Sequence, residues 1–192
     1  MRKLKLQCQL TVDGFIAGAN GEMDWMVWDW DDKLKAYVEE ITEPVDCIIM
    51  GKSFAAGFIP HWAKVANNLE HPESAFGQRV TEMQKVVFST EKTRESIEDL
   101  SWNNTQISDK PLREGVTALK NEAGGDIIVY GGSQFVSALI GAGLIDEFHL
   151  FINPTALGKG MTIFHQLESK QNFTITSAQQ YDCGIVVLKY LK

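Results

Sequence analysis

The chain has 192 residues, 44% of them hydrophobic and 22% charged, with a net charge of −7. These values fit one soluble globular domain and exclude a disordered chain, a collagen-like repeat and a disulfide scaffold. An acidic chain without a basic cluster is a poor partner for nucleic acid or an anionic membrane. Along the chain, residues 3–12 (KLKLQCQLTV) alternate apolar and polar, which predicts a strand, and Asp13-Gly14 marks a turn. Residues 18–24 (GANGEMD) form a glycine-containing loop. From Asp31, the positions Leu34, Tyr37, Val38 and Ile41 have the spacing of one helix face, and Asp29, Asp31 and Asp32 suit its N-terminus. Residues 45–50 (VDCIIM), 85–89 (KVVFS) and 126–130 (DIIVY) are short apolar runs that fit strands buried on both faces of a parallel sheet. Helical patterns follow Pro72, Pro111 and Ser133. Residues 146–153, 172–180 and 184–191 are strand-like without a long helix between them, and the last two read as a hairpin through Tyr181 to Gly184. The expected architecture is a parallel α/β body ending in antiparallel strands, as a single domain over residues 1–192.

Cys8, Cys47 and Cys183 are far apart and odd in number, so they predict free buried thiols, not a zinc ribbon or a disulfide framework. The four histidines show no HxxxH or HxH spacing, so no metal site is expected. Neither a signal peptide nor an apolar run of membrane-spanning length is present, and a cytoplasmic location is expected.

Three strand ends carry residues suited to phosphate. In DIIVYGGSQF (126–135), a buried strand ends in Gly131 and Gly132, and a helix starts at once with Ser133 as its cap. Glycine admits close approach to the backbone, and a helix N-terminus offers free N–H groups and partial positive charge. The same pattern also fits a tight strand-to-helix turn that binds nothing. The second end is Met50-Gly51-Lys52-Ser53 and the third Phe88-Ser89-Thr90, with Lys92 and Arg94 close behind. Neither GxGxxG nor GxxxxGK[ST] occurs, and Phe135 stands where a GxSxG nucleophile elbow needs glycine. Trp25, Trp28 and Trp30 either wall a pocket for a flat heterocycle or form a satellite hydrophobic cluster.

A set of segments occurs in order: residues 10–17 (LTVDGFIA), 21–25 (GEMDW), 49–53 (IMGKS), 85–90 (KVVFST), 129–133 (VYGGS), 144–147 (LIDE) and 157–164 (LGKGMTIF). On these segments, across nearly its whole length, the chain resembles the dihydrofolate reductase superfamily. It is closest to the branch typified by the C-terminal reductase domain of the bifunctional riboflavin-biosynthesis enzyme. The resemblance implies a mostly parallel eight-stranded sheet with flanking helices, NADPH as hydride donor, and a homodimer. It implies an oxidoreductase of dihydrofolate reductase-like or 5-amino-6-(5-phosphoribosylamino)uracil reductase-like type. It places Ile16 and Ala17 near the nicotinamide and the loop from Asn20 to Trp25 over the active site. Gly51, Lys52 and Ser53 would meet the cofactor phosphates, Ser89 and Thr90 the adenosine ribose, and Gly131, Gly132, Ser133 and Gln134 the pyrophosphate. On the substrate side the pattern departs from dihydrofolate reductases. The expected threonine is Phe151, the expected alanine is Gln9 with Gln7 on the same strand face, and Asp32 is the nearest candidate acid, then Asp29. Asp32, or water ordered by it, is thus the expected proton source, and Gln9 and Trp25 the groups that orient a small polar substrate. The alternative is a non-catalytic NADP(H)-binding protein of the same fold.

Overall fold

The structure is a computed structural model, and it describes residues 1–89 and 102–192. Its centre is an eight-stranded sheet. The strands are β1 (Leu4–Thr11), β3 (Val45–Gly51), β4 (Gln84–Phe88), β5 (Thr105–Ser108), β6 (Asp126–Val129), β7 (Glu147–Asn153), β9 (Thr174–Gln180) and β10 (Val186–Leu191). They run in the order β5-β4-β3-β6-β1-β7-β10-β9. Strands β5 to β7 are mutually parallel, and β10 runs antiparallel to both β7 and β9. A separate two-stranded ribbon pairs β2 (Phe15–Ala17) with β8 (Met161–Thr162). The mostly parallel α/β sheet with antiparallel C-terminal strands is the architecture that the sequence implies.

Helices α1 (Asp32–Thr42), α2 (Lys52–Ala66) and α3 (Ser74–Glu82) cover one face, and α4 (Leu112–Asn121) and α5 (Ser133–Gly141) the other. Side-chain alternation divides the core accordingly. Leu4, Leu6, Cys8 and Leu10 of β1 pack with Val116, Leu119, Val136 and Leu139 of α4 and α5. Ile48, Met50, Val87 and Ile128 pack beneath α2 and α3, while Phe151 and Val187 pack beneath α1. Asp31 is the N-cap of α1 and accepts a hydrogen bond from the Leu34 amide at 3.0 Å. The buried Lys85 donates to the carbonyls of Val80, Thr81 and Met83, so it closes the C-terminal end of α3.

Helix α2 is absent from the sequence reading. Gly57 and Pro60 lie inside it and obscure the pattern, yet Ala55, Ile59 and Val65 are buried and Phe54, Phe58 and Trp62 follow each other at one-turn spacing. The Phe54–Phe58 and Phe58–Trp62 centroids are 5.2 and 6.1 Å apart. Packing of this stripe against Tyr130 and Phe76 outweighs the helix bond that Pro60 removes. Cys8 and Cys47 are buried, and Cys183 is half-buried; all three are free thiols. Burial pushes the Cys8 thiol well up and that of Cys47 to about 12, so both are inert.

Candidate functional site

The topology creates a crevice before any side chain is considered. From β3 the chain passes through α2 and α3 to β4 on one side. From β6 it passes through α5, on the opposite face, to β7 on the other side. The neighbouring strands β3 and β6 therefore send their connections apart, and ligands of open α/β sheets bind beyond such a point. Gly51 closes β3 and caps α2; Gly132 follows β6 and caps α5.

These two turns interlock. A Cβ at Gly131 would lie 3.0 Å from the Phe54 ring, and one at Gly132 would lie 3.3 Å from Phe54 Cβ. A Cβ at Gly51 would lie 3.2 Å from Phe135 Cβ. Each glycine turn thus receives the first-turn aromatic of the other helix, which brings the two N-termini side by side. Gly132 also has φ +82°, a conformation that disfavours other residues. The first amides of both helices lack intrahelical acceptors, so the paired N-termini suit an anion.

The remaining predicted cofactor residues attach to this pair by short steps. Ser133 is the first residue of α5, not its cap; Gly132 holds that place and has no side chain to cap the helix. The Ser133 hydroxyl instead lies 3.6 Å from the sulfur of Met161, whose register partner is Ala17. Ile16 and Ala17 are both buried in the ribbon. Asp13 holds that ribbon to the end of β1: its carboxylate accepts from the Thr11 hydroxyl and from the amides of Leu157 and Gly158. These bonds, the Thr11 hydroxyl first, hold the Asp13 carboxyl below its ordinary range. Ser89 follows Phe88, whose ring packs 5.6 Å from that of Phe135. Lys52 is half-buried, and Ser53 and Gln134 are exposed. Thr90, Lys92 and Arg94 lie outside the described residues.

The α1 side of the sheet carries an unusual polar row. Lys5, Gln7 and Gln9 alternate along β1, opposite Glu147, His149 and Phe151 of β7. His149 is fully buried, with Nδ1 2.7 Å from the Tyr37 hydroxyl. Burial, with help from Lys189, pushes its pKa down to about 4, so it is neutral at neutral pH. Burial would raise the Glu147 carboxyl, but the hydrogen bond from Lys3 and the charges of Lys189 and Lys3 hold it below its ordinary range. Gln7 Oε1 and the Tyr130 hydroxyl are buried without hydrogen-bond partners among the described residues.

At the upper end of this row stands Asn153. It is fully buried and joins three segments: its Oδ1 accepts from the Val27 amide at 2.8 Å, and its Nδ2 donates to Gln9 Oε1 at 3.0 Å and to the Phe151 carbonyl at 3.2 Å. The loop before α1 is therefore tied to β1 and β7. Its other end is tied by Glu22, which accepts from the Asn20 amide and side chain and whose carbonyl accepts from Trp25 Nε1 at 3.1 Å. Sequence reasoning did not single out Asn153. The available signal was the row of polar residues at alternate positions of β1 and β7, interrupted at Phe151, in strands otherwise apolar.

Asp32 does not join this site. Its side chain is fully exposed and lies 3.9 Å from Lys35, because Leu34, Val38 and Ile41 define the buried face of α1. Asp32 is two residues from Leu34, about 200° around the helix. Asp29 is exposed as well. The geometry offers neither as a proton donor beside Gln9. Trp28 is exposed, whereas Trp30 packs 5.9 Å from Phe151 and donates to the Val27 carbonyl, so part of the tryptophan group is a hydrophobic cluster.

Among the described residues no group of His, Cys, Asp and Glu could hold a metal ion, and no helix is long and apolar enough to cross a membrane. A cleft of about 570 Å³, lined by Ala138, residues 140–143 and 166–171 and Lys192, lies at the C-terminal end of α5.

The model of the RibD C-terminal domain family matches residues 2–187. The chain belongs to the RibD C-terminal domain family. It is 33% identical to the Bacillus subtilis protein called uncharacterized protein YyaP over 192 residues, 98% of this chain and 94% of that one. Two solved structures share the fold of this RibD C-terminal domain. One is a Thermotoga maritima diaminohydroxyphosphoribosylaminopyrimidine deaminase/5-amino-6-(5-phosphoribosylamino)uracil reductase, with a TM-score of 0.69 and 19% identity, covering 99% of this chain and 56% of that one. The other is a pyrimidine reductase-like protein from Corynebacterium diphtheriae, with a TM-score of 0.64 and 13% identity, covering 99% and 91%. The fold is thus of the dihydrofolate reductase-like, RibD type.

Proposed function

We propose that this protein is an NADPH-dependent reductase that delivers a hydride to a small, flat, polar heterocycle of pterin or pyrimidine type. The observation that carries the reading is the interlocked pair of helix N-termini at the divergence of β3 and β6. Membership of a reductase-domain family supports it. The nicotinamide cofactor supplies the hydride, and the protein supplies binding and orientation. Amides at the starts of α2 and α5, with the Ser53 and Ser133 hydroxyls, would hold the phosphates. Gly131 and Gly132 let that backbone approach, and Gln134 lies beside them. Ile16 and Ala17 form an apolar wall for the nicotinamide, and Ser89, just past the end of β4, flanks the adenosine ribose. Gln9 and Trp25 orient the substrate ring. With Asp32 turned to solvent, the proton for the neighbouring heteroatom comes from water.

That same orientation of Asp32 favours a second reading, an NADP(H)-binding protein of this fold without catalysis. One experiment separates them. Purified protein is titrated with NADPH and NADH by tryptophan quenching, then NADPH oxidation is followed with dihydrofolate and with the ribosylamino-pyrimidinone phosphate. Binding with oxidation supports the reductase, and binding without oxidation by either compound supports the second reading. Absence of dinucleotide binding refutes both.

A further inference from the structure

We infer that Gln9, oriented by Asn153, gives the substrate site donor polarity, so that it takes a flat ring through a hydrogen-bond acceptor on the ring edge. The inference rests on the reading of this end of the sheet as a substrate site.

Two backbone groups settle the orientation of Asn153. The Val27 amide can only donate, and it meets Oδ1 at 2.8 Å. The Phe151 carbonyl can only accept, and it meets the other end, Nδ2, at 3.2 Å. The Asn153 amide therefore has one allowed orientation. Its Nδ2 faces Gln9 at 3.0 Å, so Gln9 must turn its oxygen toward Asn153. The Gln9 Nε2 group is then left over. No hydrogen bond among the described residues takes it, and it is not sealed in the interior, unlike Gln7 Oε1. Gln9 is half-buried near the C-terminal end of β1. Its cross-strand neighbour Phe151 adds no polar atom, and Asp32 points away. The functional group presented there is an N–H donor. A carboxylate at this place would present acceptors and select a protonated, donor-bearing edge.

The polarity can be reversed by exchanging single atoms. Gln9→Glu keeps the bond from Asn153 and replaces the free N–H donor with an acceptor oxygen. Asn153→Asp keeps the acceptor for Val27 and, as the ionised carboxylate, sets its second oxygen against both the Phe151 carbonyl and Gln9; that oxygen finds a donor only when Gln9 turns over to give it Nε2, and Gln9 then presents its own carbonyl. Two ring-matched probes read the change: quinazoline-2,4-dione, with acceptor oxygens, and 2,4-diaminoquinazoline, which in mildly acidic buffer is protonated and donates along one edge. Affinities are measured by fluorescence titration with and without NADPH. Wild type is expected to prefer the dione. Gln9→Glu is expected to tighten the diamine by about tenfold or more and reverse the order, since a hydrogen bond to a charged group exceeds a neutral one. Asn153→Asp, which touches neither probe, is expected to reverse the order too, and it carries the test if Gln9→Glu does not fold. The same order in all three proteins, or binding of neither ring, overturns the inference. Loss of NADPH binding by wild type would instead refute the reductase reading, whatever the rings show.

Discussion

Replacing Ser133 with Asp separates stability from cofactor binding, because one charge acts on each with opposite sign. Ser133 is the first residue of α5, and that helix has no acidic residue in its first turn. A carboxylate there meets unpaired amides and the positive end of the helix dipole, so stability should rise by about 0.3–1 kcal/mol. The same carboxylate repels a bound phosphate. At a separation of about 6 Å the repulsion is about 0.7 kcal/mol in a water-like dielectric and about 2.8 kcal/mol at an effective value near 20. NADPH affinity should therefore fall roughly threefold to hundredfold, with the effect shrinking as salt is added. Ser133→Lys should reverse both signs. Urea denaturation gives the first quantity, and tryptophan-quench titration at two ionic strengths gives the second. If Ser133→Asp gains stability yet binds NADPH as wild type does, no phosphate sits at the start of α5 and the cofactor placement is wrong.

The other expected outcomes concern the frame of the site. Gly132→Ala should lower stability by about 1–2 kcal/mol in the absence of any ligand, because its φ is +82° and a Cβ would crowd Phe54. A loss of NADPH binding by that variant is thus weak evidence for contact, and denaturation curves of the apo protein would show why. Asn153→Ala leaves the Val27 amide without its acceptor and should cost about 1–3 kcal/mol, with proteolysis near residues 24–30 accelerating. His149 has a folded pKa lowered from 6.5 to about 4, so the unfolded chain takes up the proton first. Stability should fall as pH drops from 6.5 through about 4, and His149→Gln should flatten that part of the profile. Asp13 and Asp31, held below 3.8 by hydrogen bonds, lose their contribution only at lower pH, so the two windows are separable by denaturation across the acid range.

The sequence by itself determined the parallel strands and the glycine turns that end them. Runs such as VDCIIM and DIIVY are apolar at nearly every position because both faces of a parallel sheet are covered. The turn at Gly184, with φ +90° and an amide bonded to the Tyr181 carbonyl, follows from its local residues too. The phase set by Leu34, Val38 and Ile41 also turns Asp32 outward, against the role of proton source that the resemblance suggested for it. The tertiary structure decided what no local pattern carries. Helix α2 exists because Phe58 and Trp62 find aromatic partners in Tyr130, just after β6, and Phe76 of α3, and a window centred on Gly57 and Pro60 cannot show that. Strand β5, four residues long, is defined by pairing with β4. The interlock of Gly51 with Phe135 and of Gly131 with Phe54 joins positions about eighty residues apart. The free donor on Gln9 depends on an amide orientation set by Val27 and Phe151 through Asn153. Each of these joins residues distant in the chain, and only the folded geometry brings their donors, acceptors and rings within reach.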